Sequence, residues 1–224
     1  DINADEIFPT ASIIKLPVLV EFFRSIEKNQ LTIYDEMPLT NYYRSEGSGS
    51  LQFKAENSTY TIDKLARMMI TESDNSATNM LMARLGSMTD VNSALREWGL
   101  KHTYVQTWLP DLGGTNHSTA RDMAQILYNI DNPKFLSNSS REKIFDYMGH
   151  VHNNRLIAAG LPAGATFLHK TGDIGKMLGD AGIVYAPNGK KYIVVIFANR
   201  PHNSPLGKEF IVKASQTIYN NMVF

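Results

Sequence analysis

Apolar residues occupy nearly every helical position between residues 12 and 28, which predicts a helix that is buried on most sides. The apolar positions are Ile13, Ile14, Leu16, Val18, Leu19, Val20 and Phe23. Pro17 comes early enough to be tolerated, because the first-turn amides of a helix have no partner within the helix. A polar side chain at position 12 would therefore be held rigidly at the start of this helix.

Residues 38–60 show no such periodicity and contain Gly47-Ser48-Gly49-Ser50, so they are predicted to be a loop on the surface. Helical periodicity then dominates from about residue 61 to residue 150. Gly86 and Gly99 are predicted to end the second and third helices of this region. The predicted helix starts are Thr61, Asn75, Thr89, Thr119 and Ser140.

The pattern changes from about residue 165, where runs rich in β-branched residues replace the helical period. Residues 181–186 and 191–198 are predicted strands, joined by Pro187-Asn188-Gly189 as a hairpin. Residues 208–222 are predicted to form a last helix. The fold class is therefore α/β in the α+β sense: an antiparallel sheet flanked by terminal helices, with an all-helical insert.

Composition narrows the range of partners. The 224 residues include 22 basic and 22 acidic side chains, so no long-range field attracts nucleic acid or a membrane surface. The apolar runs are too short to span a bilayer. Cysteine is absent, which excludes disulfides and thiolate chemistry. His150 and His152 have no third ligand at metal spacing, so no metal and no cofactor are predicted.

Three short motifs occur in a fixed order: Ser12-Ile13-Ile14-Lys15, Ser73-Asp74-Asn75 and Lys170-Thr171-Gly172. A serine and a lysine three positions apart share one helix face, so the amine can take the hydroxyl proton. The same spacing recurs at Ser25 to Lys28 and at Ser140 to Lys143. The only Ser-x-Asn and the only Lys-Thr-Gly of the chain follow the first copy, 61 and 158 residues after Ser12. The three motifs together indicate an acyl-transfer site with a serine nucleophile.

Each motif alone has a structural explanation. Ser73 and Asn75 suit helix caps. Lys170-Thr171-Gly172 suits a strand end followed by a turn. The combination in this order favours the catalytic interpretation.

With their neighbours, these motifs resemble those of the penicillin-recognising serine hydrolases, in particular those with the class A β-lactamase architecture. The resemblance covers nearly the whole chain. It implies a sheet domain from residues 1–35 and 160–224, a helical domain from residues 36–159, and an active site in the crevice between them. It also implies further strand and helix segments before Asp1, of which residues 1–8 would be the tail.

The resemblance further implies roles for individual residues. Ser12 would be the nucleophile, Lys15 its proton acceptor, and Ser73 a relay to the leaving nitrogen. Asn75 would orient Lys15 and bind the substrate amide. Lys170, Thr171 and Gly172 would form the strand that receives the substrate carboxylate. Gly179 stands where an arginine usually binds this carboxylate, so Lys176 is a further candidate for binding it. The backbone amides of Ser12 and Asp173 would form the oxyanion hole.

The chain departs from the β-lactamases at the loop that carries their deacylation base. Leu109 stands where a glutamate is expected, and Gly113 where a water-binding asparagine is expected. Thr107 and Asn116 replace an arginine and an aspartate that usually pair across this loop. An apolar side chain cannot take a proton from water, so an acyl-enzyme formed with a β-lactam is expected to live long.

This departure points to the small DD-peptidases of the PBP-A type, which cleave or transfer the terminal D-Ala of peptidoglycan stem peptides and are acylated by β-lactam antibiotics. The resemblance of this chain to these enzymes implies an extracytoplasmic location in a bacterium. One alternative is a β-lactamase that uses Asp111 as a substitute base. Another is a non-catalytic module that binds penicillin or peptidoglycan. The sequence does not specify the oligomeric state.

Overall fold

A computed structural model describes residues 1–223. The seven helices of this part carry the apolar faces that the periodicity predicts. They are α1 (Lys15–Glu27), α2 (Ile62–Thr71), α3 (Asn75–Arg84), α4 (Met88–Glu97), α5 (Ala120–Asp131), α6 (Asn138–Gly149) and α7 (Leu206–Val223). Short 3₁₀ turns lie at Ala11–Ile14, Leu51–Phe53 and Ile157–Gly160.

Seven strands form three antiparallel sheets in the described part of the chain. They are β1 (Phe8–Pro9), β2 (Glu36–Pro38), β3 (Thr59–Thr61), β4 (His117–Ser118), β5 (Thr166–Ile174), β6 (Met177–Tyr185) and β7 (Lys191–Asn199). The main sheet has the order β5-β6-β7, and two-stranded ladders join β1 to β4 and β2 to β3. This mixed arrangement of helices and antiparallel sheet confirms the predicted fold class.

The predicted hairpin is present. Ala186 and Lys190 close it, since the Ala186 amide donates to the Lys190 carbonyl at 2.8 Å. Gly189 has φ of 85°, a left-handed conformation that glycine adopts without strain. The Pro-Asn-Gly signal therefore sets the register of β6 and β7.

Two predicted helix caps are wrong by one or two residues, and the predicted start at Ser140 lies three residues after Ser137, the cap of α6. Asp74, and not Asn75, caps α3, because its side chain accepts from the Ala77 amide. Ser87, and not Thr89, caps α4 by accepting from the Asp90 amide. Both are small polar residues in extended backbone, which is what an N-cap requires.

Helix α1 lies among the other helices, and its side chains Leu16, Leu19 and Phe22 have no exposed surface. Its neighbours are α2, α3, α4 and α5. A second apolar cluster lies between the outer face of the main sheet, α7 and the turn Ile157–Gly160. The division of residues 1–35 and 160–224 from residues 36–159 stays a prediction, and α1 itself packs with the helices.

A bilayer crossing requires a long and strongly apolar helix, and none of the helices within residues 1–223 meets that requirement.

Candidate active site

The first copy of the Ser-x-x-Lys motif lies where a tight turn becomes a helix. Ser12 is in the 3₁₀ turn Ala11–Ile14, and Lys15 is the first residue of α1. The preceding Ala11 has φ of 45°, an unfavourable conformation for a residue with a side chain. Such local strain is common where a backbone is forced to present a functional group.

The second motif links α2 and α3. Ser73 has φ of 57°, so it reverses the chain between the last residue of one helix and the cap of the next. Asp74 fixes this junction by accepting from the amides of Ala77 and Leu51, each at 2.8 Å. The turn thereby directs both the carbonyl and the hydroxyl of Ser73 to Lys15.

The Lys15 amine is the centre of the site. Its Nζ atom lies 3.0 Å from Ser12 Oγ and 3.0 Å from Ser73 Oγ. It also lies 2.6 Å from the Ser73 carbonyl oxygen and 2.9 Å from Asn75 Oδ1. The Asn75 Nδ2 group donates to the Glu46 carbonyl at 2.9 Å, which fixes the amide with its oxygen facing Lys15.

These four contacts suit a neutral amine. The Ser73 carbonyl and Asn75 Oδ1 can only accept, so they take two N–H groups of Lys15. A neutral amine then has one lone pair left, and the hydroxyls of Ser12 and Ser73 are both within hydrogen-bond distance of it. The arrangement can therefore move a proton between either serine and the lysine.

Burial favours this neutral form. Lys15 has no exposed surface. Burial lowers the pKa of the Lys15 amine well below its ordinary value, the positive charge of Lys170 lowers it further, and the Asp74 carboxylate opposes both. Burial also lowers the pKa of Lys170 to about 7, against the opposing effect of the Asp180 carboxylate.

The third motif lies inside β5. Lys170 is fully buried, and its Nζ donates to the Thr171 carbonyl at 2.9 Å. Gly172 faces the turn that holds Ser12: a Cβ atom there would lie 2.6 Å from the Thr10 carbonyl oxygen. Glycine therefore lets β5 approach the turn that carries Ser12 closely. Asp173 follows, paired with Arg155 and Arg200.

The loop predicted as a surface excursion is a wall of the site instead. The Ser48 carbonyl accepts from the Asn75 amide at 3.0 Å. Gly49 has φ of 100°, and a Cβ atom there would lie 2.2 Å from the Asp74 carboxylate. The loop thus needs glycine to pack on the junction between α2 and α3. The two glycines were the available signal for this close approach.

The cleft has two arms that meet at Ser12, Ser48 and Asp173. The first arm encloses about 200 Å³ and includes Asn75 and Leu109. The second encloses about 180 Å³ and is lined on one side by Ser73, Lys170 and Thr171. Its other lining residues are Thr71, Glu72, Val151, His152 and Asn153. The structure thus brings the predicted site residues of all three motifs to one cleft.

Leu109 is almost buried, at 5% exposure, and its backbone is held on both sides. The Leu109 amide donates to Asn79 Oδ1 at 2.9 Å, and its carbonyl accepts from Ser45 Oγ at 2.7 Å. The Asn79 Nδ2 group donates to the same carbonyl at 2.8 Å. These bonds fix where the side chain at position 109 enters the cleft.

Asp111 has a different task from the one its sequence position suggests. Its Oδ1 atom accepts from the amide and hydroxyl of Thr115, at 2.9 Å and 3.0 Å. Its Oδ2 atom accepts from the Asn116 amide at 2.6 Å. Both oxygens therefore hold the loop closed.

Asn116, which the sequence comparison places at one end of a missing ion pair, closes this loop by hydrogen bonds. Its side-chain oxygen accepts from the amides of Gln106 and Thr107, at 2.7 Å and 3.0 Å. Its Nδ2 group donates to the Thr107 carbonyl at 3.1 Å. One neutral side chain thus closes the neck of the loop.

The other two Ser-x-x-Lys copies are not assembled into sites. Ser25 is buried and donates to Glu21 at 3.3 Å, whereas Lys28 is exposed. Lys143 pairs with Asp63 at 2.9 Å. Lys176 lies in the turn between β5 and β6 and does not line either arm. Residues 1–223 hold no group of three or more metal-ligating side chains.

Comparisons with known proteins agree with this geometry. The sequence model of the "Beta-lactamase enzyme family" matches residues 1–222. The structure of PBP-A is 40% identical, with a TM-score of 0.95 over 97% of this chain and 82% of that chain. A leucine-to-glutamate variant of PBP-A, in its acyl-enzyme complex with penicillin G, is 39% identical with a TM-score of 0.97 over 99% of this chain and 84% of that chain.

Two relatives with lower sequence identity are beta-lactamases. The extended-spectrum beta-lactamase PER-1 of Pseudomonas aeruginosa is 23% identical over 97% of this chain and 76% of its own length. A beta-lactamase of Bacillus licheniformis is 27% identical over 88% of this chain, which spans 66% of that relative's length. The chain therefore belongs to the beta-lactamase enzyme family, as a penicillin-recognising serine hydrolase with the class A fold.

Proposed function

We propose that the protein is a serine acyl-transferase that acts on peptidoglycan stem peptides ending in D-Ala-D-Ala, as a DD-carboxypeptidase or transpeptidase. β-Lactam antibiotics would acylate the same serine, and the resulting acyl-enzyme would deacylate slowly. An extracytoplasmic location in a bacterial cell envelope goes with this substrate.

Ser12 attacks the carbonyl of the penultimate D-Ala while Lys15 takes its proton. Ser73 passes that proton to the leaving nitrogen, which its contact with Lys15 supports. The backbone amides of Ser12 and Asp173 receive the oxyanion. Lys170 and Thr171 receive the carboxylate of the leaving residue, so the second arm, which they line, is called the leaving-group arm below.

Slow deacylation is supported by two features of the loop at residues 106–116: the hydrogen bonds of its carboxylate and the side chain at position 109. Asp111 is the one carboxylate in this segment, and three hydrogen bonds from Thr115 and Asn116 occupy it. Leu109 fills the position in the cleft where a base would activate water. This combination favours a penicillin target over a penicillin-destroying enzyme.

The alternatives differ in what they require. A β-lactamase that uses Asp111 would have to take a proton from water with a carboxylate that already accepts three hydrogen bonds from its own loop. A non-catalytic module would have no use for the amine that contacts Ser12, Ser73 and Asn75. The four-way contact of Lys15 therefore favours an active enzyme.

Release of D-Ala from a synthetic peptide ending in D-Ala-D-Ala tests the proposal. We expect release by the wild type and none by Ser12→Ala. A wild type that hydrolyses penicillin rapidly and leaves the peptide intact would support the β-lactamase hypothesis instead. A wild type that forms no adduct and releases nothing would make it a binding module.

Lys15→Ala should slow acylation by penicillin by about 10² or more, because the nucleophile loses its general base. The second-order rate constant for adduct formation measures this. Lys28→Ala is the matched control, since Lys28 has the same motif spacing but is exposed at the end of α1. If the control slowed acylation and Lys15→Ala did not, the general base would belong to the motif from Ser25 to Lys28 and not to the motif from Ser12 to Lys15.

The pH dependence should report the charge of Lys170. Its pKa of about 7 means that the cation that attracts the substrate carboxylate is lost as pH rises through about 7. The acylation rate for penicillin relative to that for its methyl ester, which lacks the carboxylate, should therefore fall above this pH. The ratio cancels the titration of Lys15. A ratio that stays constant from pH 6 to 9 would contradict this role of Lys170.

A further inference from the structure

A buried histidine and a buried carboxylate lie beside the third motif, and none of the steps above uses them. His169 and Asp180 have 1% and 0% exposure. The His169 Nδ1 atom lies 2.8 Å from Asp180 Oδ1. The register of β5 and β6 places Asp180 opposite Thr171. His169 precedes Lys170 along β5, so the two side chains leave opposite faces of the strand.

Hydrogen-bond partners determine how many protons the His169 ring holds. Its second nitrogen, Nε2, lies 3.1 Å from Asn154 Oδ1. The Asn154 amide is oriented by its Nδ2 group, which donates to the Val151 carbonyl at 3.0 Å. A carboxylate and an amide oxygen can only accept, so both ring nitrogens must donate. A ring that carries both protons satisfies the two contacts, and its contact with Asp180 is then an ion pair.

A neutral ring does not satisfy these contacts. One nitrogen would then present a lone pair to an oxygen atom. Turning the Asn154 amide over would restore that contact but would set its oxygen against the Val151 carbonyl. The doubly protonated ring donates to Asp180 and to Asn154 while the Asn154 amide keeps its bond to Val151.

The pair holds a segment that forms one wall of the leaving-group arm. Val151, His152 and Asn153 line this arm. The His152 amide donates to the Thr71 carbonyl at 3.0 Å, which joins the front of the segment to the end of α2. The back of the segment is joined to the sheet by Asn154 at His169, and by the Ile157 amide, which donates to Asp180 Oδ2 at 3.1 Å.

The ring itself is closely surrounded. Phe167 stacks on it with 4.4 Å between ring centroids. Gly182 stands opposite His169 on β6, and a Cβ atom there would lie 2.7 Å from both His169 and Phe167. Lys170, the next residue, leaves the other face of β5, and Arg155, the residue after Asn154, pairs with Asp173. Asp180 is thus the anion that directly faces the ring.

We propose that His169 is a positioning residue: as an imidazolium bonded to Asp180 and Asn154, it fixes residues 151–153 against the strand that carries Lys170 and Thr171. The inference rests on the proposed function, because that function assigns this arm to the leaving residue. Misplacement of a substrate-positioning wall by about 1 Å can cost about 10²-fold in rate.

The charge of the ring is tested by nitrogen-15 NMR of the histidines in the intact protein at neutral pH. We expect protons on both ring nitrogens of His169. A ring with a single proton would overturn the assignment. This measurement does not depend on activity, so it stands even if the proposed substrate is wrong.

Two variants test the positioning role. Asp180→Asn can keep every contact with a neutral ring: its amide donates to Nδ1, its oxygen accepts from Ile157, and Nε2 still donates to Asn154. His169→Gln cannot reach both partners. Acylation is measured with the penicillin methyl ester, because Asp180→Asn also removes a charge that raises the pKa of Lys170. We expect this rate to fall by about tenfold or more in His169→Gln and to stay within about threefold of wild type in Asp180→Asn.

Equal rates in His169→Gln and wild type would overturn the proposal, and so would equal slowing in both variants. If His169→Gln does not fold, Asn154→Ala cuts the same link from the exposed side of the segment. It should slow acylation by about threefold or more with an unchanged circular dichroism spectrum. A wild type that forms no adduct would instead refute the proposed function.

Discussion

Ser12→Ala should abolish covalent labelling by penicillin and leave the fold intact. The nucleophile is lost, whereas Lys15 keeps three of its four contacts, at Ser73 and Asn75. Ser12 is half-buried in a short turn, so we expect its removal to change the free energy of unfolding by about 0.5 kcal/mol or less. Mass spectrometry of the intact protein after exposure to penicillin measures the labelling.

Ser25→Ala is the matched control, because Ser25 begins the second Ser-x-x-Lys tetrad. It should label like the wild type, since Ser25 is buried and bonded to Glu21. Labelling that persists in Ser12→Ala, on Ser25 or on Ser140, would refute the assignment of the nucleophile.

Leu109→Glu should speed deacylation of the penicillin adduct by about 10² to 10⁴, the usual gain from general-base catalysis. The bonds from Asn79 and Ser45 hold the backbone at position 109, so the new carboxylate enters the cleft where the leucine now lies. Gly113 offers no side chain to hold the water, which places the expected gain towards the lower end of this range. Acylation should change less, because Lys15 and Ser73 are untouched.

Leu109→Gln separates the base from the shape of the side chain. Glutamine resembles glutamate in size but does not accept a proton from water, so its adduct should last as long as that of the wild type. Stopped-flow and mass spectrometry give both rate constants. Equal deacylation of the glutamate and glutamine variants, with adduct and fold intact, would show that Leu109 does not set the lifetime of the adduct.

The sequence predicted the helices and the hairpin well because local patterns determine them. The apolar period located α1, and Pro187-Asn188-Gly189 located the turn between β6 and β7. The cap of α3 was misplaced because Asp74 and Asn75 are adjacent residues that both favour caps. Which of two neighbours caps a helix depends on backbone conformation that a periodic pattern does not encode.

The three motifs could be recognised in the sequence because each is a short run of residues with a fixed chemical use in known enzymes. The segments that form the walls of the cleft could not be predicted from the sequence, because they depend on contacts between distant segments. Ser48 meets Asn75 through a loop without periodicity. His169 meets Asp180 only once the register of β5 and β6 is known. The task of Asp111 in closing its loop likewise appears only in the folded chain.

A time course of the intact wild-type mass after one addition of penicillin tests whether Ser12 forms a long-lived acyl-enzyme. We predict a rapid gain of the full penicillin mass, an adduct on the peptide that contains Ser12, and persistence of that adduct long after free penicillin is removed. Rapid return to the unmodified mass, with hydrolysed penicillin in solution, would contradict slow deacylation and identify the protein as a β-lactamase.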